Sequence, residues 1–320
     1  MSQFLSKCDA SVMADAAAHL LAGDLVAFPT ETVYGLGADA CNAAAVARIY
    51  SVKDRPADHP LIIHVASMDA LGEWASDVPE YAISLARDFW PGPMTLIMKR
   101  SALAADFVTG GQDTVGIRVP AHPVALGLLE AFARVGGKGV AAPSANRFGN
   151  VSPTTAQAVS DELSDYLSDS AQILDGGACD VGVESTIIDC TDDVPKILRP
   201  GAITEEMIEH STGLDVLNVD VVAIRVSGSL ESHYAPIAKV VLDQSPLAGQ
   251  GFIAMADVAT SAGVIRLAAP TTHDEFARVL YSALRAADEQ GLGTVVVQQP
   301  QGNGIAIAIR DRLMRAARKN

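Results

Sequence analysis

The stretch FPTETVYGLGADA, residues 28–40, overlaps the end of a short apolar run, and its interpretation decides the fold. Its second half, from Gly35 to Ala40, matches the loose G-x-G-x-x-G/A pattern of dinucleotide-binding loops. In such a loop the strand runs straight into the first glycine, whereas here PTETVY comes between the apolar run and Gly35. The sequence therefore favours a different pocket, in which Thr30 and Thr32 follow a strand and face a small polar ligand. Turn formation and helix capping are the simpler roles for these two hydroxyls.

On either side of this stretch, strand-like apolar runs alternate with helical patterns up to about residue 210. Asn42 is a candidate helix N-cap, as is the segment 152–154, and an N-terminal helix should end at Gly23. The predicted strands are 24–28, 60–65, 94–99, 114–120, 139–144, 171–177 and 185–190, and the predicted helices are 43–53, 81–90, 123–135 and 154–167. This alternation predicts a mixed α/β domain over residues 1–210.

The pattern changes after residue 210. Residues 211–238 are a connector interrupted by Gly and Ser, and they contain the segment SHYAP. Residues 239–320 then alternate predicted strands with two predicted helices, the last of them basic. Such alternation in a short segment predicts a small doubly wound α/β domain at the C-terminus.

Charge and composition narrow the possible functions. The net charge is −15, and it lies in residues 1–212, which have 13 basic and 28 acidic side chains, whereas residues 213–320 have ten of each. A general basic face for stable binding of long nucleic acid is not expected, so any anion should be held by a few basic residues in a pocket. No apolar run approaches the ~18 residues of a membrane span, and the N-terminus does not have the pattern of a signal peptide. We expect a cytoplasmic protein whose four cysteines are reduced.

The segment SVKDRPADHPLIIHV concentrates basic groups before an apolar strand. Lys53 and Arg55 flank a predicted loop, where they could hold phosphate oxygens; a solvated charged turn is the alternative. Because of this loop position, alanine substitutions there should reduce activity with little effect on stability. His59 and His64 would face opposite sides of a strand, so a shared metal ion is not expected.

Further polar groups stand at the ends of other predicted strands. Arg118 lies in an otherwise apolar strand, where a charge is costly unless paired, so it needs either an internal acid or an anionic substrate. APSANRFGNVSPT, residues 142–154, puts Ser144 and Ser152 on a loop that opens a helix, a suitable anion cradle. GVESTIID (182–189) and LRPG (198–201) add Ser185 and Arg199.

Taken in order, these motifs resemble the YrdC-type threonylcarbamoyl-adenylate synthases, and SHYAP with an added C-terminal domain resembles their two-domain branch. The resemblance implies a twisted mixed sheet with a concave, positive face. It also implies condensation of L-threonine, bicarbonate or CO2, and ATP with Mg²⁺ to threonylcarbamoyl-AMP and pyrophosphate. Other proteins would then transfer the threonylcarbamoyl group to tRNA.

The resemblance also implies roles for individual residues. The predicted catalytic residues are Lys53 and Arg55. The threonine-binding set is Thr32, His64, Arg118 and Ser185, and the ATP-binding set is Arg55, His59, Thr114, Ser144, Ser152, Arg199 and Tyr234. The connector would act as a lid that brings Tyr234, and with it His233, onto the nucleotide; packing at the domain junction is the alternative role for Tyr234.

Two other functions remain open at this point. A non-enzymatic RNA-binding module of the same fold is one, although the acidic balance argues against it. Carbamoyl transfer in hydrogenase maturation is the other, but the acylphosphatase and Cys-rich zinc segments of that branch are missing from this sequence.

Overall fold

The computed structural model describes residues 5–7, 9–218, 224–226 and 234–318. In the first part of the chain the elements are β1 (Leu5–Lys7), α1 (Ala10–Ala22), β2 (Val26–Phe28), β3 (Gly35–Asp39), α2 (Ala43–Lys53), β4 (Ile62–His64), α3 (Leu71–Trp74), α4 (Glu80–Phe89), β5 (Met94–Lys99), α5 (Asp106–Thr109), β6 (Thr114–Arg118), α6 (Pro123–Arg134), β7 (Val140–Ala141), α7 (Ala156–Leu163), β8 (Gln172–Asp175), β9 (Thr186–Asp189), β10 (Lys196–Arg199), α8 (Glu205–Thr212) and β11 (Leu217–Asn218). They are followed by β12 (Lys239–Leu242), β13 (Gly251–Ile253), β14 (Ile265–Ala268), α9 (His273–Glu289), β15 (Thr294–Val297) and α10 (Ile305–Ala317).

The strands up to β11 form one mixed sheet in the order β1-β8-β2-β3-β7-β4-β6-β5-β9-β10-β11. Strands β4 and β6 are parallel and pair His64 with Arg118, so both side chains come at the same edge of the sheet. Strand β5 is antiparallel to β6 and parallel to β9, which brings the start of β9 to that edge. Strand β10 runs antiparallel to β9, so its last residue, Arg199, also lies there. The mixed α/β fold is as predicted.

The glycine-containing segment of the opening stretch is a strand. Gly35–Asp39 forms β3, which pairs antiparallel with β2, Gly37 lying opposite Val26. A Cβ atom on Gly37 would lie 2.7 Å from Val140 Cγ1 and 2.8 Å from Phe28 Cε1, so close packing of neighbouring strands requires the glycine. The segment is therefore not a phosphate-binding loop.

The helix ends follow local side-chain chemistry. Asn42 caps α2 by accepting hydrogen bonds from the amides of Ala44 and Ala45, as predicted. Gly23 ends α1 with a φ of 92°, in the left-handed region that glycine favours. The cap of α7 is Thr155, which accepts from the amide of Ala158; the prediction of a cap within 152–154 is wrong by one residue.

The second sheet contains β12, β15, β13 and β14 in that order, all parallel. Helices α9 and α10 share one core cluster with its strands, and that cluster includes Val295, Leu280 and Leu313. Tyr234 and Val33 belong to the same cluster, so the core of the second sheet reaches the first part of the chain. Across the described ranges, no helix is both long and apolar enough to cross a bilayer.

Candidate active site

A cavity lies at the sheet edge where β4, β6 and β10 end. Its lining residues are Thr30, Thr32, Val33, Gly35, Arg55, Ile62, His64, Arg118, Ala142, Pro143, Ser144, Glu184, Ser185, Arg199 and Tyr234. Eight residues of the predicted site are among them: Thr32, Arg55, His64, Arg118, Ser144, Ser185, Arg199 and Tyr234. Lys53, His59, Thr114 and Ser152 do not line it.

Thr30 and Thr32 form the rim that follows β2. Their hydroxyl oxygens are 2.8 Å apart, and Thr30 Oγ1 donates to the carbonyl of Val33 while accepting from the amides of Thr32 and Val33. Thr30 therefore fixes the turn, whereas the hydroxyl of Thr32 is held against it at the cavity wall. Of the two roles considered from the sequence, turn formation is seen at Thr30, whereas contact with a small polar ligand stays a prediction for the two residues, both of which line the cavity.

His64 presents a neutral imidazole to the cavity. Burial, reinforced by the neighbouring charge of Arg118, lowers the pKa of His64 to about 3. Its Nδ1 is buried and has no hydrogen-bond partner in the structure, while its ring packs edge-on against Phe28. A buried polar atom without a partner costs free energy unless a ligand or water pairs with it, which makes this nitrogen a candidate ligand contact.

Arg118 already has an acid partner inside the protein. Its Nη2 lies 2.5 Å from Glu31 Oε1, and the other oxygen of Glu31 accepts from the amide of Ala121. The sequence left an internal acid and an anionic substrate as alternatives for Arg118, and the structure supplies the acid. The buried charge of Arg118 by itself therefore does not require an anionic substrate, although the residue still lines the cavity.

Ser185 and Arg199 both line the cavity and are hydrogen-bonded to each other. Arg199 donates through Nε to the carbonyl of Ser185 and through Nη2 to its hydroxyl, both at 3.1 Å. The same hydroxyl lies 2.8 Å from Thr95 Oγ1. Burial lowers the pKa of Arg199, but a guanidinium remains charged in proteins, so this wall presents a positive group.

Arg55 and His59 meet around Phe148. The guanidinium of Arg55 lies 5.8 Å from the Phe148 ring centroid and donates to the carbonyl of Pro60, and burial lowers its pKa to about 10. His59 packs edge-on against the same ring, at 5.5 Å between centroids. The Phe148 ring therefore links His59 to Arg55 of the cavity lining, and burial together with the charge of Arg55 lowers the pKa of His59.

Lys53 ends the predicted helix 43–53, which is confirmed, but the expectation that its side chain serves an adjoining loop with little effect on stability is wrong. Lys53 is the last residue of helix α2 and its side chain is buried. Its Nζ donates to the carbonyls of Ser144, at 2.6 Å, and Asn146, and its own carbonyl accepts from the amide of Phe148. Burial lowers the pKa of Lys53 well below its usual value. Through these two hydrogen bonds, Lys53 holds in place the segment that contains Ser144, a residue of the cavity lining.

Ser152 and Thr114 also lie outside the cavity. Ser152 is buried and donates to Glu184 Oε1 at 2.7 Å, so it contacts the cavity wall from behind. Thr114 begins β6, opposite Lys99 on β5, whereas Arg118 ends that strand at the cavity. Thr114 is therefore at the opposite end of β6 from Arg118, and it does not line the cavity.

Tyr234 lies both at the cavity and at the junction with the second sheet. It lines the cavity, and its ring stacks on Tyr281 of α9, with centroids 5.8 Å apart and planes 25° apart. The guanidinium of Arg312 in α10 lies 5.4 Å from the Tyr234 centroid. Tyr234 thus packs the junction with the second sheet while facing the cavity, and His233 lies outside the described residues.

Comparison with known proteins agrees with this geometry. Residues 18–201 match the Sua5/YciO/YrdC family, described as "Telomere recombination", and residues 203–318 match the threonylcarbamoyl-AMP synthase C-terminal domain. The threonylcarbamoyl-AMP synthase of Pyrococcus abyssi is 40% identical over 94% of this chain and 93% of its own. That of Bacillus subtilis is 40% identical over 95% of this chain and 92% of its own. The chain belongs to the threonylcarbamoyl-AMP synthase family.

Solved structures place the family fold over the whole chain. The crystal structure of P. abyssi Sua5 complexed with L-threonine matches with a TM-score of 0.86 and 37% identity, over 98% of this chain and 96% of that one. Escherichia coli YciO, at 24% identity and a TM-score of 0.53, covers 63% of this chain and shows only the fold. The match to P. abyssi Sua5 therefore extends over both sheets described above.

Four residues that support the site were not identified from the sequence: two buried acids and two residues of helices α9 and α10. Glu31 pairs with Arg118, and Glu184 lines the cavity. Arg312 and Tyr281 reach Glu184 from α10 and α9. The only signal for Glu184 was its position within GVEST, next to Ser185; nothing local pointed to Arg312. Within the described residues, no group of three or more His, Cys, Asp and Glu side chains could hold a metal ion.

Proposed function

We propose that this protein is an L-threonylcarbamoyladenylate synthase. The observation that carries the proposal is that one cavity contains all four residues of the predicted threonine set, Thr32, His64, Arg118 and Ser185, and four of the predicted ATP set, Arg55, Ser144, Arg199 and Tyr234. The reaction joins these two substrates, so a shared cavity is what its chemistry requires.

The threonine side of the cavity has groups that suit an amino acid. Arg118 offers a guanidinium for the carboxylate, held in place by Glu31. Thr32 and the neutral His64 offer hydrogen-bonding groups to the amine and hydroxyl. Because His64 is uncharged, it does not repel the ammonium of threonine and can accept a hydrogen bond from it.

The chemical step needs no nucleophile from the protein. The ammonium of threonine first loses a proton to water. The free amine then adds to CO2 with release of a second proton, or to bicarbonate with release of water, and a carbamate forms. A carbamate oxygen then attacks the α-phosphorus of ATP, the bond to the β-phosphate oxygen breaks, and pyrophosphate leaves. Arg55 and Arg199 are placed to stabilise the charge that develops on the phosphates, so catalysis is positioning together with electrostatic stabilisation.

Mg²⁺ would enter as part of the ATP substrate. The described residues contain no cluster of ligands for a resident metal ion, and the hydroxyls and arginines of the cavity fit a triphosphate that carries its own cation. Further proposals are that the product is consumed by separate proteins that transfer the threonylcarbamoyl group to tRNA, and that the protein works in the cytoplasm.

The test is pyrophosphate release with ATP, Mg²⁺, bicarbonate and each amino acid in turn. L-Threonine should give the fastest turnover. Serine should be about 5- to 150-fold weaker, because one methyl contact is worth about 1–3 kcal/mol. Equal turnover with glycine, or without an amino acid, would refute the proposed function.

A further inference from the structure

A buried carboxylate connects the second sheet to the cavity wall. Glu184 lines the cavity, and it receives hydrogen bonds from both parts of the chain. Its Oε1 accepts from Ser152 at 2.7 Å. Its Oε2 accepts from Tyr281 at 2.9 Å and from Arg312 Nε at 2.7 Å. Burial alone would raise the pKa of Glu184, but the charges of Arg312 and Arg199 outweigh it and lower the pKa to about 2.

Arg312 contacts the surroundings of the cavity at three points. Its side chain is fully buried and pairs with Glu184, which binds Ser152. Its Nη2 donates to the carbonyl of Pro200 at 3.0 Å, directly after Arg199. Its guanidinium also lies over the ring of Tyr234, at 5.4 Å. Ser152, Arg199 and Tyr234 all belong to the predicted ATP set. Tyr234 contacts Arg312 directly, whereas Ser152 is reached through Glu184 and Arg199 through Pro200.

The fixed shape of a guanidinium makes these three contacts interdependent. Its donors form a rigid planar fork, so a shift that breaks one contact moves the others. Asp311 accepts from Nη1 at 2.5 Å and so holds the guanidinium from the helix side. An arginine used only to neutralise Glu184 would not also need to contact Pro200 and Tyr234.

From these contacts we propose that Arg312 is a positioning residue, by which α10 of the second sheet holds the ATP half of the cavity in its binding geometry. This role rests on the proposed function, since it assigns ATP to that half. Arg312 does not line the cavity, so it acts through Glu184, Pro200 and Tyr234 and not on the substrate. In the threonine half, Arg118 is held by Glu31, which is not among the partners of Arg312 within the described residues, while Ser185 is hydrogen-bonded to Arg199.

The experiment measures direct ATP binding by calorimetry in the full chain, with thermal unfolding of the same samples. Arg312→Met should raise the Kd for ATP at least about tenfold, equivalent to 1.4 kcal/mol, while the Kd for threonine changes less than about threefold. Arg310→Met is the matched control, because Arg310 lies in the same helix and donates to the carbonyl of Pro300 within its own part of the chain. It should leave both dissociation constants unchanged.

Two more variants separate positioning from stability. Arg312→Met leaves a buried carboxylate without its partner and can prevent folding. The double variant Glu184→Gln with Arg312→Met removes both charges, which proteins tolerate better. It should recover most of the unfolding temperature but keep the raised Kd for ATP. Arg312→Lys retains the charge without the planar fork, so it too should recover stability more than affinity.

The outcomes distinguish this proposal from the proposed function. If the folded variants bind ATP as tightly as the wild type, Arg312 is only structural and the positioning role is overturned. Equal losses of threonine and ATP affinity would also overturn it, because they would indicate general disruption. A wild-type protein that binds no ATP would refute the proposed function and, with it, the role of Arg312.

Discussion

The substitution Lys53→Met tests the most consequential difference between sequence and structure. From the sequence, Lys53 ends a predicted helix and flanks the loop that follows, a position from which its removal should reduce activity and leave stability nearly unchanged. In the structure its ammonium is buried and donates to the carbonyls of Ser144 and Asn146. Methionine fills a similar volume but cannot donate, so both carbonyls lose a charged hydrogen-bond donor.

The size of the effect follows from two opposing contributions. Hydrogen bonds from a charged donor are worth about 1.5–3 kcal/mol each, so the loss of two would cost about 3–6 kcal/mol. Part of this is offset, because a buried ammonium no longer has to be desolvated. A net loss of about 2–4 kcal/mol remains, which lowers the unfolding temperature of a domain of this size by about 5–15 °C. Ser144 should shift as well, and the KM for ATP should rise about tenfold or more.

The assay is thermal unfolding followed by steady-state pyrophosphate release at a temperature where the variant is folded. Lys99→Met is the control, because Lys99 is an exposed lysine at the end of β5, with only an exposed partner, Asp77. It should leave both measurements unchanged. If Lys53→Met unfolds within about 1 °C of the wild type, the inference that Lys53 supports the Ser144 segment is wrong.

Three further predictions concern the cavity. Arg55→Ala should lower kcat/KM by about 10- to 150-fold, from the loss of one charge-assisted contact; wild-type kinetics would refute a contact between Arg55 and the substrate. Tyr234→Ala should weaken ATP binding and increase the AMP formed per pyrophosphate, because the adenylate would be less protected from water; an unchanged product ratio would leave only the packing against Tyr281. Since the pKa of His64 is near 3 when folded and 6.5 when unfolded, the unfolded chain takes up the proton first and stability falls as the pH drops through that window. When unfolding in urea is measured at pH 7 and at pH 4.5, the free energy of unfolding should therefore fall by about 2–3 kcal/mol less for His64→Gln than for the wild type. Equal decreases would contradict the buried neutral state of His64.

Elements with strong periodicity could be predicted from the sequence, and β3 could not. The segment GLGAD has few residues that favour strands, and its glycines suggested a loop. It is a strand because β2 and β7 pair with it on both sides, and because Gly37 allows Phe28 and Val140 to pack closely. Those contacts come from distant parts of the chain, which local patterns do not report.

Some residues of the candidate site could likewise be predicted from the sequence, and others could not. Residues at strand ends, such as His64, Arg118 and Arg199, could be found because strand direction brings them to one edge of the sheet. Thr114 is also a polar residue at a strand end, but it begins β6 and so lies at the opposite end of that strand from Arg118. Arg312 is separated from Glu184 by 128 positions, and a basic residue in a basic final helix gives no sign that its side chain is buried.

The charge of the cavity explains how so acidic a chain can bind a polyphosphate. Four arginines stand in or directly behind the cavity wall, namely Arg55, Arg118, Arg199 and Arg312, and three carboxylates accompany them, Glu31, Glu184 and Asp311. Each carboxylate is ion-paired with an arginine, and these seven groups still have a net charge of +1, although the chain as a whole carries −15. Buried charges act over a few ångströms with little screening, whereas exposed ones are screened by salt. The acidic surface therefore disfavours long nucleic acid without weakening the hold of the cavity on a small anion. It follows that ATP affinity should depend on single arginines of the wall far more than on the surface charge of the protein.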